Sequence, residues 1–348
     1  MKHIAAFGFF DDHFLEEKLS KLGNPLEKLD KFINWKVFES AINEPFIKSD
    51  LAKSKGGRPS FCKLMLFKAL IIQSLYNLSD EQLEYQILDR TSFKKFLGLN
   101  KSDRVPDSRT FWHFREQLIT FDTIQSLFDS FNAQLDKLGV FANEGKMVDA
   151  SFVDVPKQRN SREENKEIKE GKVPSEWQDN PNKLAQKDTD AKWTKKNNVS
   201  FYGYKNHIKV GTGTKLIKKY IVSDASVHDS QVIDELLDNT DIGDEFYADS
   251  AYSGKPCEEI YEKKEVVCRV NEKGYKNKPL TAEQIKSNRE KSKVRARVEH
   301  IFGFIENSMN GSFIRTIGIK RAKAKIGMMN IVYNICRCVQ LKKMISMG

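Results

Sequence analysis

The spacing of apolar positions along the chain changes period once, near Gly145. Before that point it is helical. Leu64, Phe67, Ile71 and Leu75 recur at intervals of three and four, which puts them on one face of a helix. Ser79-Asp80-Glu81-Gln82 has the form of a capping box, in which the Ser79 hydroxyl and the Gln82 side chain each satisfy a free backbone N–H. Leu83 and Ile87 continue the apolar side of the helix it opens. A third helix is expected after Pro106-Asp107, carrying Phe111, Phe114 and Leu118 and running on towards Leu138. Gly56-Gly57-Arg58-Pro59 breaks the pattern. The expected layout is a helical extension over 1–56 and a compact all-helical domain over 57–140.

After Gly145 the pattern suits strands. Met147–Val155 (MVDASFVDV), Phe201–Val210 and Leu216–Ser223 are rich in β-branched and apolar residues. Gly211-Thr212-Gly213-Thr214 joins the last two as a hairpin turn. No helix follows it, so it is not a phosphate-binding loop. Then come a short helix at Gln231–Leu237, a strand at Glu245–Ala248, a helix at Glu258–Lys263 and a strand at Val266–Val270. A long helix runs from Thr281 to about Met309. This predicts a five-stranded mixed sheet in a domain over 145–348. Residues 156–199 are polar, mixed in charge and without period, and are expected to be a long surface loop or a partly disordered insertion.

Composition adds a partner class. The 348 residues are 39% hydrophobic and 30% charged, which suits a globular chain. The longest apolar runs, such as Ala69–Ile72, are too short to cross a bilayer, and the N-terminus does not read as a signal peptide. The five cysteines form no CxxC pair and read as reduced thiols. The net charge is +10, but residues 255–348 hold 21 Lys and Arg against nine Glu and no Asp. That segment is +12 and the first 254 residues are −2. Such asymmetry points to a polyanion, with nucleic acid the first candidate.

Three acids stand out by position. Asp149 lies inside the first strand, Asp249 follows the fourth in FYADSAYSG, and Glu299 lies in RARVEHIFGFIE on the last long helix. On that helix Val294, Val298, Ile301, Phe302 and Ile305 form an apolar stripe with Glu299 at its edge. Carboxylates at the border of a core are costly unless they are paired or bind a cation. Converging from three elements, they are the hard oxygen set that holds Mg²⁺ or Mn²⁺. Taken singly, each acid reads better as a cap, a turn residue or a salt-bridge partner, because the chain has 48 acidic residues, so the case rests on the three together. Asp154 is a rival to Asp149, nearer the strand's end.

The segments MVDASFVDV, FYGYKNH, SDASVHDSQVIDELL, YADSAYSG and RARVEHIFGFI, with the helical block GRPSFCKLMLFKALIIQSLYNLSDEQLEYQILDR, resemble bacterial insertion-sequence transposases of the group named after insertion sequence five. The resemblance spans roughly residues 57 to 335. It implies an α/β architecture, with an RNase H-like mixed β-sheet catalytic domain preceded by an all-helical domain for DNA binding and dimerisation. It implies Asp149, Asp249 and Glu299 as the catalytic, metal-binding triad, with two Mg²⁺ (or Mn²⁺) ions per site. Its substrates would be double-stranded DNA, namely terminal inverted repeats and target DNA, cut and joined by a homodimer or larger assembly in the bacterial cytoplasm. Arg295 fills the family's basic position four before the glutamate, where it would orient Glu299 or meet a phosphate. Tyr204 and Lys205 match its GYK block and are expected near the DNA, and His228 and Asp229 match its HDS block, where Asp229 also reads as a plain helix cap. Two positions depart from the family: Ser292 replaces a frequent Tyr, and Glu306 replaces a basic residue seven after the glutamate. Lys320, Arg321, Lys323 and Lys325 are candidates to compensate, or form a solvated face. The alternatives are a DNA-binding protein without catalysis, such as an inactive or domesticated transposase, and a nuclease on the same fold.

Overall fold

The computed structural model describes residues 11–48, 60–140, 144–275 and 278–347. The Gly56–Pro59 break expected from sequence lies outside them. The chain divides into two compact units, Met1–Phe121 with Ile335–Gly348, and Asp122–Asn334.

The first unit is helical. It contains α1 (Asp11–Lys21), α2 (Pro25–Phe32), α3 (Glu39–Lys48), α4 (Lys63–Leu75), α5 (Asp80–Asp89), α6 (Thr91–Leu97) and α7 (Ser108–Thr120). The capping box at Ser79 forms as expected, the Ser79 hydroxyl accepting from Gln82 N and the Gln82 side chain from Ser79 N. Phe67, Ile71, Leu83, Ile87, Phe111, Phe114 and Leu118 are all buried. Arg115 closes the unit's polar side with two 2.8 Å hydrogen bonds to the Asp80 carboxylate.

The second unit opens with α8 (Thr123–Lys137), so the helix expected to run through to Leu138 is two helices. The chain turns at Phe121 and Asp122, where Asp122 takes a left-handed conformation (φ 49°). α8 belongs with the sheet because its buried side chains face it. The Phe128 ring meets Tyr220 edge-on at 4.8 Å, and Asn132 Nδ2 donates to Ile217 O.

The sheet comprises β1 (Lys146–Asp154), β2 (Lys192–Lys196), β3 (Val199–Gly211), β4 (Ile217–Asp224), β5 (Glu245–Tyr247) and β6 (Val267–Cys268). β1 runs antiparallel to β3 on one side and parallel to β5 on the other, and β5 is parallel to β6. The far edge of β3 pairs first with β2 and then with β4, so the sheet is five strands wide with one strand more than the sequence suggested. The changeover falls at Gly203 (φ 150°), where a Cβ would lie 2.3 Å from Val153 O. One face of the sheet packs on α12 (Ile233–Leu236), α13 (Lys255–Lys263) and a core of Val148, Ile233, Leu236, Phe246 and Tyr252. The other face meets α8, α15 (Glu299–Met309) and the first part of α16 (Ile319–Met347). There the Asn206 and Asn330 side chains bond each other, and Asn334 accepts from Ile217 N.

Residues 156–199 are not a bare loop. They form α9 (Arg162–Lys169), α10 (Ser175–Gln178), α11 (Pro181–Ala185) and β2. Trp177 is fully buried and its Nε1 donates to Glu164 at 2.6 Å. One tryptophan and Ile168 give this polar insertion a small core of its own, too sparse to register as a period. The helix expected over 281–309 is also interrupted. α14 (Ala282–Arg295) ends in a 3-10 turn, Ala296–Val298, before α15 starts at Glu299.

Candidate catalytic site

Parallel pairing of β1 with β5 matches Lys146 with Phe246 and Met147 with Tyr247. The offset is one hundred residues. Asp149 lies two residues past Met147 in β1, and Asp249 two past Tyr247, where β5 has already ended. β5 stops at Tyr247, and Asp249 caps the short turn Ser250–Tyr252, its Oδ1 accepting from Ala251 N at 2.8 Å. Asp149 Oδ1 accepts from Ala150 N at 2.8 Å. One oxygen of each carboxylate is therefore held by backbone, which fixes the direction of the other.

The second oxygen of Asp149 is taken by a cation. Arg295 Nη1 donates to it at 2.9 Å, and both side chains are mostly buried. Burial nevertheless dominates: it pushes the Asp149 carboxyl up to about 6, with Asp249 adding to the rise and the Ala150 amide, Arg295 and Lys196 opposing it. The Tyr252 hydroxyl is buried with no hydrogen-bond partner, and the Asp229, Asp149 and Asp249 carboxylates all raise it further. A hydroxyl orphaned beside three carboxylates is unusual in a packed interior.

Glu299 is the first residue of α15 and is exposed. Val298, Ile301 and Ile305 are buried beneath it, so the apolar stripe is real and Glu299 sits at its border. Among the described residues no three acidic or metal-ligating side chains are gathered closely enough to hold an ion together. Asp249 lies near enough to act on the Asp149 carboxyl, while Glu299 stands exposed at the start of α15. Arg295, expected to orient Glu299, binds Asp149 instead. The 3-10 turn between them, with about three residues per turn rather than 3.6, breaks the α-helical relation the sequence implied.

Tyr204 and Lys205, expected as DNA contacts, are interior residues. Tyr204 donates to the buried Asp188 carboxylate at 2.8 Å, and Lys205 donates to Val227 O and to Asp229 Oδ1. Alternation on β3 turns both into packed faces, where their polar ends need internal partners. Lys205, Asp229, His207 and Ser223 form one network: His207 Nε2 meets Ser223 Oγ at 2.9 Å, and burial lowers the His207 pKa to about 4. Asp229 thus does more than begin a turn. His228 remains exposed and caps that turn. Asp154 accepts from Tyr202 N and stands at the strand's end, away from the pair. Lys320, Arg321 and Lys323 are exposed on the first turns of α16, and Lys325 is half-buried. Ser292 accepts from Asn271 Nδ2 at 2.9 Å, tying α14 to the loop before it. Glu306 is exposed on α15 and lines a shallow pocket with Ser151, Asn206 and Phe302, on the sheet face that carries Asp149. Asp188, Tyr252 and Lys196 were not singled out by sequence. Only the run of lysines around Lys196 could have drawn attention.

Residues 143–335 match the family model described as Transposase DDE domain, and residues 13–117 match the one described as Transposase domain (DUF772). Among solved structures, the chain is similar to a cryo-EM structure of the piggyBac transposase synaptic complex with hairpin DNA. The identity is 11% and the TM-score 0.48, over 93% of this chain and 76% of that one.

Proposed function

The chain belongs to the DDE transposase family, and on that premise we propose that it cuts DNA at the ends of an insertion sequence and joins the freed 3′ ends to a target. The observation that carries the reading is the parallel pairing of β1, which holds Asp149, with β5, which Asp249 follows by two residues, in the middle of the sheet. A nuclease on this fold would need the same pair, but the matched helical transposase domain at residues 13–117 favours transposition. The Transposase DDE domain matched over residues 143–335 weighs against a regulator built on the helical unit alone.

The residues fit a divalent cation. The donors are hard carboxylate oxygens, backbone amides already aim Asp149 and Asp249, and the second oxygen of Asp149 is occupied by a positive group. Asp149 and Asp249 would hold the ion or ions, and Glu299 would complete the set as α15 draws in. Divalent cations bound there supply Lewis acidity that activates an attacking oxygen and stabilises the leaving one. The chain's own part is positional. The Ala150 and Ala251 amides orient the carboxylates, the sheet pairs β1 with β5, and Arg295 offsets the Asp149 charge. The exposed cluster Lys320, Arg321 and Lys323 supports phosphate contacts, and the helical first unit supports recognition of the DNA ends.

The test is strand nicking of a duplex carrying the element's terminal repeats, with Mg²⁺ or Mn²⁺. Asp149→Asn, Asp249→Asn and Glu299→Gln should each lower the rate by about a thousandfold or more, with DNA binding retained. Nicking at the wild-type rate in Asp149→Asn or Asp249→Asn would overturn the assignment of the pair.

A further inference from the structure

From Ala191 to Ser223 the chain has eight lysines and no Asp or Glu, in an insertion-to-sheet segment whose flanks are mixed in charge. Three of these lysines, Lys192, Lys195 and Lys196, lie on one hairpin. β2 and the start of β3 pair from Lys192 opposite Gly203 to Lys196 opposite Val199, closing on Asn197 and Asn198. Both Asn residues have positive φ, 51° and 64°, the conformation a tight two-residue hairpin turn demands and Asn tolerates. The hairpin is thus a defined projection rather than a loose loop.

Its side chains face two ways. Lys195 and Lys196 are exposed, and among the described residues neither has an ion-pair partner. Trp193 is 42% exposed although it belongs to a class normally kept inside. Its ring is held against Tyr202, with centroids 4.9 Å apart, and Lys157 stands 5.7 Å from its centre. The ring is therefore braced in position while much of it stays in water. Lys196 reaches back over Phe152, 5.9 Å from that ring, on the same strand as Asp149. The hairpin thus runs from open solvent to β1, the strand that carries Asp149.

We propose that the β2–β3 hairpin grips the DNA strand leading to the cleaved phosphate, with Lys195 and Lys196 on the backbone and Trp193 stacking an unpaired base. This rests on the transposase reading and adds the form of DNA the site prefers, an end with a single-stranded flank. Lysines on a backbone beside an exposed, braced aromatic ring are the recurrent arrangement for unpaired strands, because every base offers a π-face and every nucleotide a phosphate. Neither Trp193 nor Lys195 is needed by the sheet's core, since β2 is its edge strand.

Binding of the full chain to a labelled terminal-repeat duplex, blunt or with a short 5′ single-stranded flank, tests this by anisotropy across a salt series. The wild type should prefer the flanked end. Trp193→Ala should lose roughly 5- to 100-fold on the flanked end and less than twofold on the blunt one, with Trp193→Phe restoring most of the loss. Lys195→Gln with Lys196→Gln should reduce the salt dependence on the flanked end by about 1.4 in log–log slope, for two single-strand phosphate contacts. Equal losses on both ends, or none, would overturn the hairpin's role while leaving the transposase reading intact. Failure of the wild type to bind either end would instead undo that reading.

Discussion

Arg295 donates its Nη1–H to Asp149 Oδ2 at 2.9 Å, so the guanidinium holds the oxygen that a catalytic cation would need. The pair is mostly buried, and the Arg295 Nε beside it is left without a partner. Arg295 is in this sense a resident counter-ion. Its replacement by Gln should leave a buried carboxylate uncompensated and lower the stability of the metal-free protein by about 1–3 kcal/mol. Mg²⁺ should then restore more stability to Arg295→Gln than it adds to the wild type, because no guanidinium has to move. Thermal melts of both proteins with and without Mg²⁺ check this. An equal Mg²⁺ shift in the two would show that Arg295 does not compete.

The raised pKa of Asp149 gives a pH signature. Its folded value of about 6 lies above the ordinary 3.8, so ionisation opposes folding. The stability associated with the protonated form is fully present below 3.8 and is lost as pH rises through about 6. At pH 7 the cost is on the order of 3 kcal/mol. In the presence of a chelator, Asp149→Asn should therefore gain stability over the wild type at pH 7, and the gap should close as pH falls to 4. Urea melts over that range measure it, and a gap that widens towards acid would reverse the sign. Divalent-cation affinity of the wild type should move oppositely, weakening up to about tenfold per pH unit below 6 as protons compete for Asp149.

Glu306 stands where the resemblance to insertion-sequence transposases implies a basic residue, exposed and on the Asp149 side of the sheet. A carboxylate there repels the phosphate that a cation would bind. Glu306→Lys should exchange that repulsion for a charge-assisted contact of roughly 1.5–3 kcal/mol, strengthening binding to terminal-repeat DNA by about one to three orders of magnitude. Titrations at low salt, with nicking at limiting protein measured beside them, decide the matter. Unchanged affinity would leave Glu306 a plain surface residue.

Strand cleavage should show the unequal standing of the acids. Asp149→Asn and Asp249→Asn remove side chains held by the Ala150 and Ala251 amides, whereas Glu299 is exposed at the start of α15. In addition to losing nicking, the two aspartate variants should bind Mn²⁺ at least tenfold more weakly without DNA, and Glu299→Gln should not. Calorimetric titration of Mn²⁺ into the DNA-free proteins measures this. A loss for Glu299→Gln equal to those of the aspartates would mean that the helix already closes on the site.

The sequence alone carried the order of elements, because local period reports it. Alternation over Met147–Val155 marks a strand, and Ser79 with Gln82 marks a helix start. It also singled out the three acids as candidates, through motifs and their order. It did not carry what depends on contacts between distant segments. The fold of 156–199 rests on Trp177 and Ile168, too few to show a period. The partner of Arg295 lies 146 residues away, and a 3-10 turn, invisible in the apolar stripe, separates Arg295 from Glu299. Tyr204 and Lys205, expected as DNA contacts, are buried on β3, and burial requires internal partners for them in Asp188 and Asp229. Local periodicity is written residue by residue. Burial and charge pairing are properties of the packed whole, and only tertiary structure decides them.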